Sequence, residues 1–101
     1  MSDEVRLVVI ITAQPGKGSE QVSAFEKLAP QVRAEDGCLQ YDLHPVVGNP
    51  DGFVLIEKWA SKAALDAHHV AAHMLEQAKR NPSLRAGPAT VLLLEGPVAA
   101  A

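Results

Sequence analysis

The chain predicts an α+β fold, a four-stranded antiparallel sheet with two helices on one face, connected in the ferredoxin-like order βαββαβ. Three observations point there. Four short segments are rich in Val, Ile and Leu or alternate apolar with polar residues, and Pro, Gly, Asn and Asp punctuate the chain around them. Two longer segments repeat apolar residues at helical spacing, one after the first strand and one before the last. The second and third strand segments are separated only by turn residues and should pair as an antiparallel hairpin.

Arg6 to Ala13 is the first strand, an apolar run ended by Gln14-Pro15-Gly16. Ser19 precedes Glu20, Val22, Phe25, Leu28, Ala29 and Val32, which share one helical face, and it is placed to cap the free amides of the first turn. Pro30 removes an amide donor inside this pattern, so a bend or a tightened turn is expected there. Asp36-Gly37 ends the helix, with Gly37 able to take the left-handed backbone that helix ends favour. Cys38 to Val46 and Gly52 to Trp59 are the hairpin strands around Val47-Gly48-Asn49-Pro50-Asp51. Ser61 opens a second helix that runs through Leu65, His68, Ala72 and Leu75 until Asn81-Pro82 stops it. Thr90 to Glu95 is the last strand, and 97–101 is an Ala-rich tail.

With 101 residues the chain is expected to be one domain, 1–101, with an ordered core of about 5–96. Both helices on one face leave the other face of the sheet bare. Strands as apolar as Leu7 to Ile11 and Val91 to Leu94 would expose a contiguous hydrophobic surface there, and a homodimer packed sheet to sheet is the natural remedy.

A net charge of −3, from 12 acidic and 9 basic side chains, offers no concentrated positive surface, so nucleic acid is not expected as a partner. The acidic start Met-Ser-Asp-Glu lacks a secretory signal, and no apolar run is long enough to span a membrane, so a cytoplasmic protein without a membrane partner is expected. Cys38 is the only cysteine, which excludes an internal disulfide and a thiolate metal cage. There is no Gly-x-Ser-x-Gly elbow and no Gly-rich phosphate loop.

Three local patterns stand out: Glu35-Asp36-Gly37-Cys38 with Tyr41 shortly after, Phe53-Val54-Leu55-Ile56-Glu57-Lys58-Trp59, and Ala64-Leu65-Asp66-Ala67-His68 followed by His73-Met74. In this order the chain resembles, over nearly its whole length, the antibiotic biosynthesis monooxygenase domain, a family that includes cofactor-free quinol monooxygenases. The resemblance implies a dimeric α/β barrel made of two ferredoxin-like sheets, with an aromatic or phenolic substrate held between sheet and helices. It implies no cofactor, with molecular oxygen as co-substrate. Haem-degrading members of the superfamily carry an Asn in the first strand, and Val5 to Ala13 contains none, which disfavours that activity.

His68 is the first candidate for chemistry, because on a helical wheel it falls among Ala64, Leu65, Ala71, Ala72 and Leu75 and so faces the interior. An imidazole there suits a general base that removes a phenolic or hydroquinone proton, after which the electron-rich anion reacts with oxygen. The alternative is a core histidine bonded to a strand carbonyl. His69 and His73, one turn apart, fall nearer the polar arc with Asp66 and Gln77, a placement that requires an unbroken helix. Asp66, His69 and His73 are a conceivable metal set, but no fourth ligand has suggestive spacing, and no metal is expected.

Glu57 and Trp59 lie on one strand face by alternation, which places a carboxylate and an indole along one pocket wall, unless Glu57 pairs with a basic neighbour and Trp59 only fills the core. Tyr41 offers a hydroxyl to a substrate oxygen, or packs with that hydroxyl at a rim. The substrate-binding set is therefore Tyr41, Glu57, Trp59 and His73, with His68 catalytic. Arg85, in the loop before the last strand, could bind an acidic or carbonyl group, but loop arginines are usually solvated and it stays outside the set. Two further readings stand beside the monooxygenase. One is a dimeric stress-response module that binds an aromatic metabolite without turnover. The other is an isomerase of a small phosphorylated metabolite, which would need cations from among Arg6, Arg33, Lys58 and Arg85 to converge on the pocket.

Overall fold

A computed structural model describes residues 3–99. The apolar runs become strands β1 (Val5–Thr12), β2 (Cys38–Val46), β3 (Asn49–Trp59) and β4 (Thr90–Leu94), ordered β2-β3-β1-β4 in one antiparallel sheet. The register puts Leu7, Val9 and Ile11 opposite Glu57, Leu55 and Phe53, and Tyr41 beside Glu57, so these side chains share one face. Helices cover that face. α1 (Gly18–Arg33) lies over β2 and β3, α2 (Lys62–His69) packs on β3, and α3 (Ala72–Leu84) packs against α1 and α2. Trp59, Phe53, Ile11, His68 and Val32 are the largest side chains fully enclosed between the layers. No described helix is long and apolar enough to cross a membrane.

The hairpin turn is tighter than the sequence suggests. β3 begins at Asn49 rather than Gly52, and Val47-Gly48 alone make the reversal, with Gly48 at φ +79°. α1 does not use Ser19 as its cap. The helix begins at Gly18 after Lys17, and its first amides are met from across the fold, where the Asp51 carboxylate accepts from the N–H groups of Gly16 (3.1 Å) and Gly18 (2.9 Å). α1 continues through Pro30 to Arg33.

The expected single second helix is two helices. Ser61 caps the first as predicted, its hydroxyl accepting from the Ala64 N–H at 3.1 Å. The chain then breaks at Val70-Ala71, where Ala71 is extended at ψ 143° and the amides of Val70 and Ala71 turn to Ala67 and His68 three residues back. Pro82 does not end α3, which runs on to Leu84. Tertiary hydrogen bonds hold that last turn: Gln14 donates its amide side chain to the Pro82 carbonyl (2.8 Å) and its backbone N–H to the Leu84 carbonyl (2.7 Å), and Lys17 Nζ donates to the Ser83 carbonyl (3.0 Å).

The bare face of the sheet carries Val8, Ile10, Val54, Ile56, Leu92 and Leu94 by register, with Ile10, Leu92 and Leu94 each 43–48% exposed. β4 is an edge strand bonded only to β1, and all five of its residues are exposed.

Gly37 fixes how the segment after α1 meets α2. Its φ is +84°, its carbonyl accepts from the Ala60 N–H at 2.8 Å, and a Cβ there would lie 2.6 Å from the Ala64 Cβ. Gly37→Ala is expected to destabilise the protein by about 2 kcal/mol, because it combines left-handed strain with a clash against the Ala64 methyl on α2. Chemical denaturation midpoints at unchanged m-value check it.

Candidate functional site

The site lies under the junction of α1, α2 and β3. Leu65 and His68 form the buried face of α2, as the helical wheel requires, and His68 is 2% exposed. Its ring lies 4.5 Å from the Trp59 ring and edge-on to Tyr41 at 5.7 Å. Tyr41 in turn stacks on Phe25 of α1 at 5.4 Å. His68 Nδ1 is 2.9 Å from Glu35 Oε2, and the same oxygen lies 2.6 Å from His73 Nε2. Two imidazoles from two helices thus meet one carboxylate from the turn after α1.

The helix break explains His73. Five positions after His68, an unbroken helix at about 100° per residue would turn it about 140° away, toward solvent. The extended step at Ala71 swings it back to Glu35. The placement of His73 on a polar arc with Asp66 and His69 is therefore corrected. Asp66 pairs with Lys62 at 2.9 Å, and His69 is exposed at its own position. Asp66, His69 and His73, conceivable as a metal set from the sequence, are not brought together.

Glu35, His68 and His73 are by type a possible donor set for a divalent ion. Their separations from the shared oxygen, 2.9 and 2.6 Å, are those of N–H···O hydrogen bonds to one carboxylate oxygen. With Nδ1–H donated to Glu35, a neutral His68 keeps a bare Nε2, and this nitrogen faces Glu57 Oε1 at 3.9 Å.

Glu57 is 5% exposed, and its Oε1 accepts from the Trp59 indole N–H at 3.0 Å. Burial pushes its carboxyl above the ordinary carboxylate range, against the opposing pull of that hydrogen bond and of His68 and His69. Trp59 is completely enclosed, so it fills the core and at the same time orients Glu57. Burial, reinforced by Glu57, also drives the Tyr41 phenol far upward, so Tyr41 stays protonated and acts as a donor.

A cavity of about 190 Å³ lies between sheet and helices, lined among others by Tyr41, Glu57, His68, Gln77 and Arg85 over a bed of Leu and Val side chains. Of the sequence-derived set, Tyr41, Glu57 and His68 line it, Trp59 stands behind Glu57, and His73 stands behind His68 through Glu35. Two residues were not in that set. Glu35 had been read only as part of a turn motif. Arg85, which the sequence leaves between a binder of an acidic group and a solvated loop residue, is half-buried: burial depresses its guanidinium below its ordinary value, and its Nε donates to Gln21 Oε1 at 3.4 Å. Of the four cations considered for a phosphorylated ligand, only Arg85 lines this cavity. Arg6 pairs with Glu4, Arg33 pairs with Asp42, and Lys58 alternates onto the other face of the sheet.

A small α+β layer protein with a mostly apolar, phenol-sized cavity and a carboxylate-held imidazole at its wall is the class that this geometry defines. Residues 5–80 match the family model described as antibiotic biosynthesis monooxygenase, and the chain belongs to that family. YcnE of Bacillus subtilis, provisionally named a monooxygenase, is 35% identical over 88% of this chain and 94% of its own. YgiN of Escherichia coli, provisionally named a quinol monooxygenase, is 34% identical over 67% of this chain and 75% of its own. The crystal structure of PA3566 from Pseudomonas aeruginosa superposes with a TM-score of 0.88 at 34% identity, covering 97% of this chain and 98% of that one.

The raised Glu57 carboxyl has a stability consequence. Its folded pKa exceeds its unfolded one, so its contribution to stability is complete below the unfolded carboxylate value and is lost as pH rises through the folded value. Glu57→Gln keeps an oxygen for Trp59 and removes the titration. The melting temperature of Glu57→Gln minus that of the parent is therefore expected to increase as pH rises through the carboxylate range and then level off, as thermal melts from pH 4 to 9 would show.

Proposed function

We propose that the protein is a cofactor-independent monooxygenase that oxidises a quinol or a related polyketide-like phenolic aromatic with molecular oxygen, and that His68 is its base. One observation carries this reading: His68 lines the cavity with its Nδ1 2.9 Å from the Glu35 carboxylate, so that a neutral ring donating there keeps Nε2 free to accept a proton. A carboxylate behind an imidazole fixes its tautomer and stabilises the imidazolium that forms. The family membership and the names of the relatives support the same chemistry.

The cavity, about 190 Å³, exceeds the roughly 150 Å³ that admits a benzene ring, so it accommodates one substituted ring. In the proposed reaction, Nε2 removes a proton from the phenol or its keto form, and the resulting carbanion adds oxygen at a ring carbon. His68 returns that proton to the terminal peroxide oxygen. The carbon then loses its second hydrogen as a proton to hydroxide released from the O–O bond, so a ring CH₂ and O₂ become C=O and H₂O. Tyr41 donates to a substrate oxygen, Glu57 and Trp59 shape the wall, and His73 holds Glu35 in place.

Metal-stripped protein is expected to consume oxygen with hydroquinones and anthrone-like phenols, and His68→Ala to lower kcat by about a hundredfold or more. Ring binding without any oxygen uptake would contradict the reaction and leave a binding module.

The enzyme works as a homodimer in this reading, with the apolar stripe of Val8, Ile10, Val54, Ile56, Leu92 and Leu94 as the face that pairs. Replacing Ile10 and Leu92 together by Asp is expected to leave the circular dichroism spectrum unchanged and to convert a dimer to a monomer in sedimentation velocity. A parent protein that sediments as a monomer would overturn this assembly.

A further inference from the structure

Arg85 has no counter-charge among the described residues. Among the described residues no carboxylate lies within ion-pair distance of it, its one side-chain hydrogen bond is the 3.4 Å contact with Gln21, and the titratable group that acts on it is Tyr41. A half-buried guanidinium in this state pays for desolvation without the charged acceptor that usually offsets it. Its position is fixed by the backbone. Ala13 pairs with Arg85 as an antiparallel bridge, the Ala86 N–H donates to the Thr12 carbonyl at 2.9 Å, and the Arg85 N–H donates to the Asn81 carbonyl at 2.8 Å.

Arg85 also stands where two spaces meet. It lines the inner cavity of about 190 Å³ and an outer cleft of about 460 Å³, and Asn81 and Ala89 are common to both. Pro82, Gly87 and Pro88 make the rest of the cleft wall largely uncharged. The polar lining of the inner cavity thus joins His68, Glu57 and Tyr41 to Arg85, the one Arg or Lys among its lining residues, which it shares with the outer cleft.

We infer that the substrate is an aromatic acid, a phenolic ring in the inner cavity whose carboxylate is bound by Arg85 at the junction with the outer cleft. This rests on the reading of the cavity as the substrate site and specifies what that substrate carries. The planar fork of a guanidinium matches a carboxylate, and a single cation suits a monoanion better than a phosphate dianion. The carboxylate also fixes the orientation of the ring, turning its hydroxyl toward His68 and Tyr41.

The test compares 2,5-dihydroxybenzoate with 1,4-dihydroxybenzene at pH 7, using the full chain, by calorimetry and by the indole N–H resonance of Trp59, the only tryptophan. The parent is expected to bind the acid at least about tenfold more tightly than the neutral ring. Arg85→Gln should bring the two within about threefold of each other by weakening the acid alone, and Arg85→Lys should keep part of the preference. Equal binding by the parent, or a preference that survives in Arg85→Gln, overturns the inference and leaves the cavity reading intact. If neither ring binds or moves the Trp59 resonance, the cavity reading fails and the inference fails with it.

Discussion

A single carboxylate oxygen shared by two imidazoles organises the site. Glu35 Oε2 takes one hydrogen bond from α2 through His68 and another from α3 through His73, in a setting where the carboxylate is 14% exposed and His68 2%. A charge so enclosed is tolerable only while its hydrogen bonds are made, so each partner constrains the other two. Gly37 lets the turn that carries Glu35 approach α2 closely, Ser61 fixes where α2 begins, and the extended step at Ala71 lets the second histidine return. Loss of any one of these would leave a buried polar group without its partner.

The same arrangement divides labour among residues that look interchangeable in the sequence. Of the two acids at the site, Glu35 meets two imidazoles through one oxygen, whereas the buried Glu57 is hydrogen-bonded only by the Trp59 indole and its carboxyl is pushed upward. Of the histidines nearby, His68 lies at the cavity wall and His73 reaches the site only through Glu35. The helices leave β4 uncovered, and this creates both the apolar edge and the opening beside which Arg85 sits. Fold and site thus share one cause, a two-layer structure whose helical layer is narrower than its sheet.

Much of this was legible in the chain. The alternation through Phe53, Leu55, Glu57 and Trp59 puts an acid on a buried face, and the wheel through Leu65 and His68 puts an imidazole against it. The break at Val70-Ala71 was not legible by local rules, since an Ala-rich stretch without Gly or Pro favours a continuous helix. The spacing of His68 and His73 held a clue, because five residues do not share a helical face. Glu35 stayed hidden because nothing local tells which acid of Glu-Asp-Gly turns inward. Arg85 was set aside because its burial comes from the closure of the chain after α3 onto the end of β1, a long-range contact. Ser19 and Pro82 misled for a related reason: tertiary partners, Asp51 at one helix end and Gln14 with Lys17 at the other, replaced the local rule.

The proposed chemistry hangs on the proton arrangement of His68, and nitrogen-15 NMR of the imidazole rings reads it directly. At a pH where the ring is neutral, His68 Nδ1 is expected to carry the proton and Nε2 to have the shift of a bare acceptor, with this preference lost in Glu35→Gln. A neutral His68 protonated at Nε2, or a preference indifferent to Glu35, would contradict it.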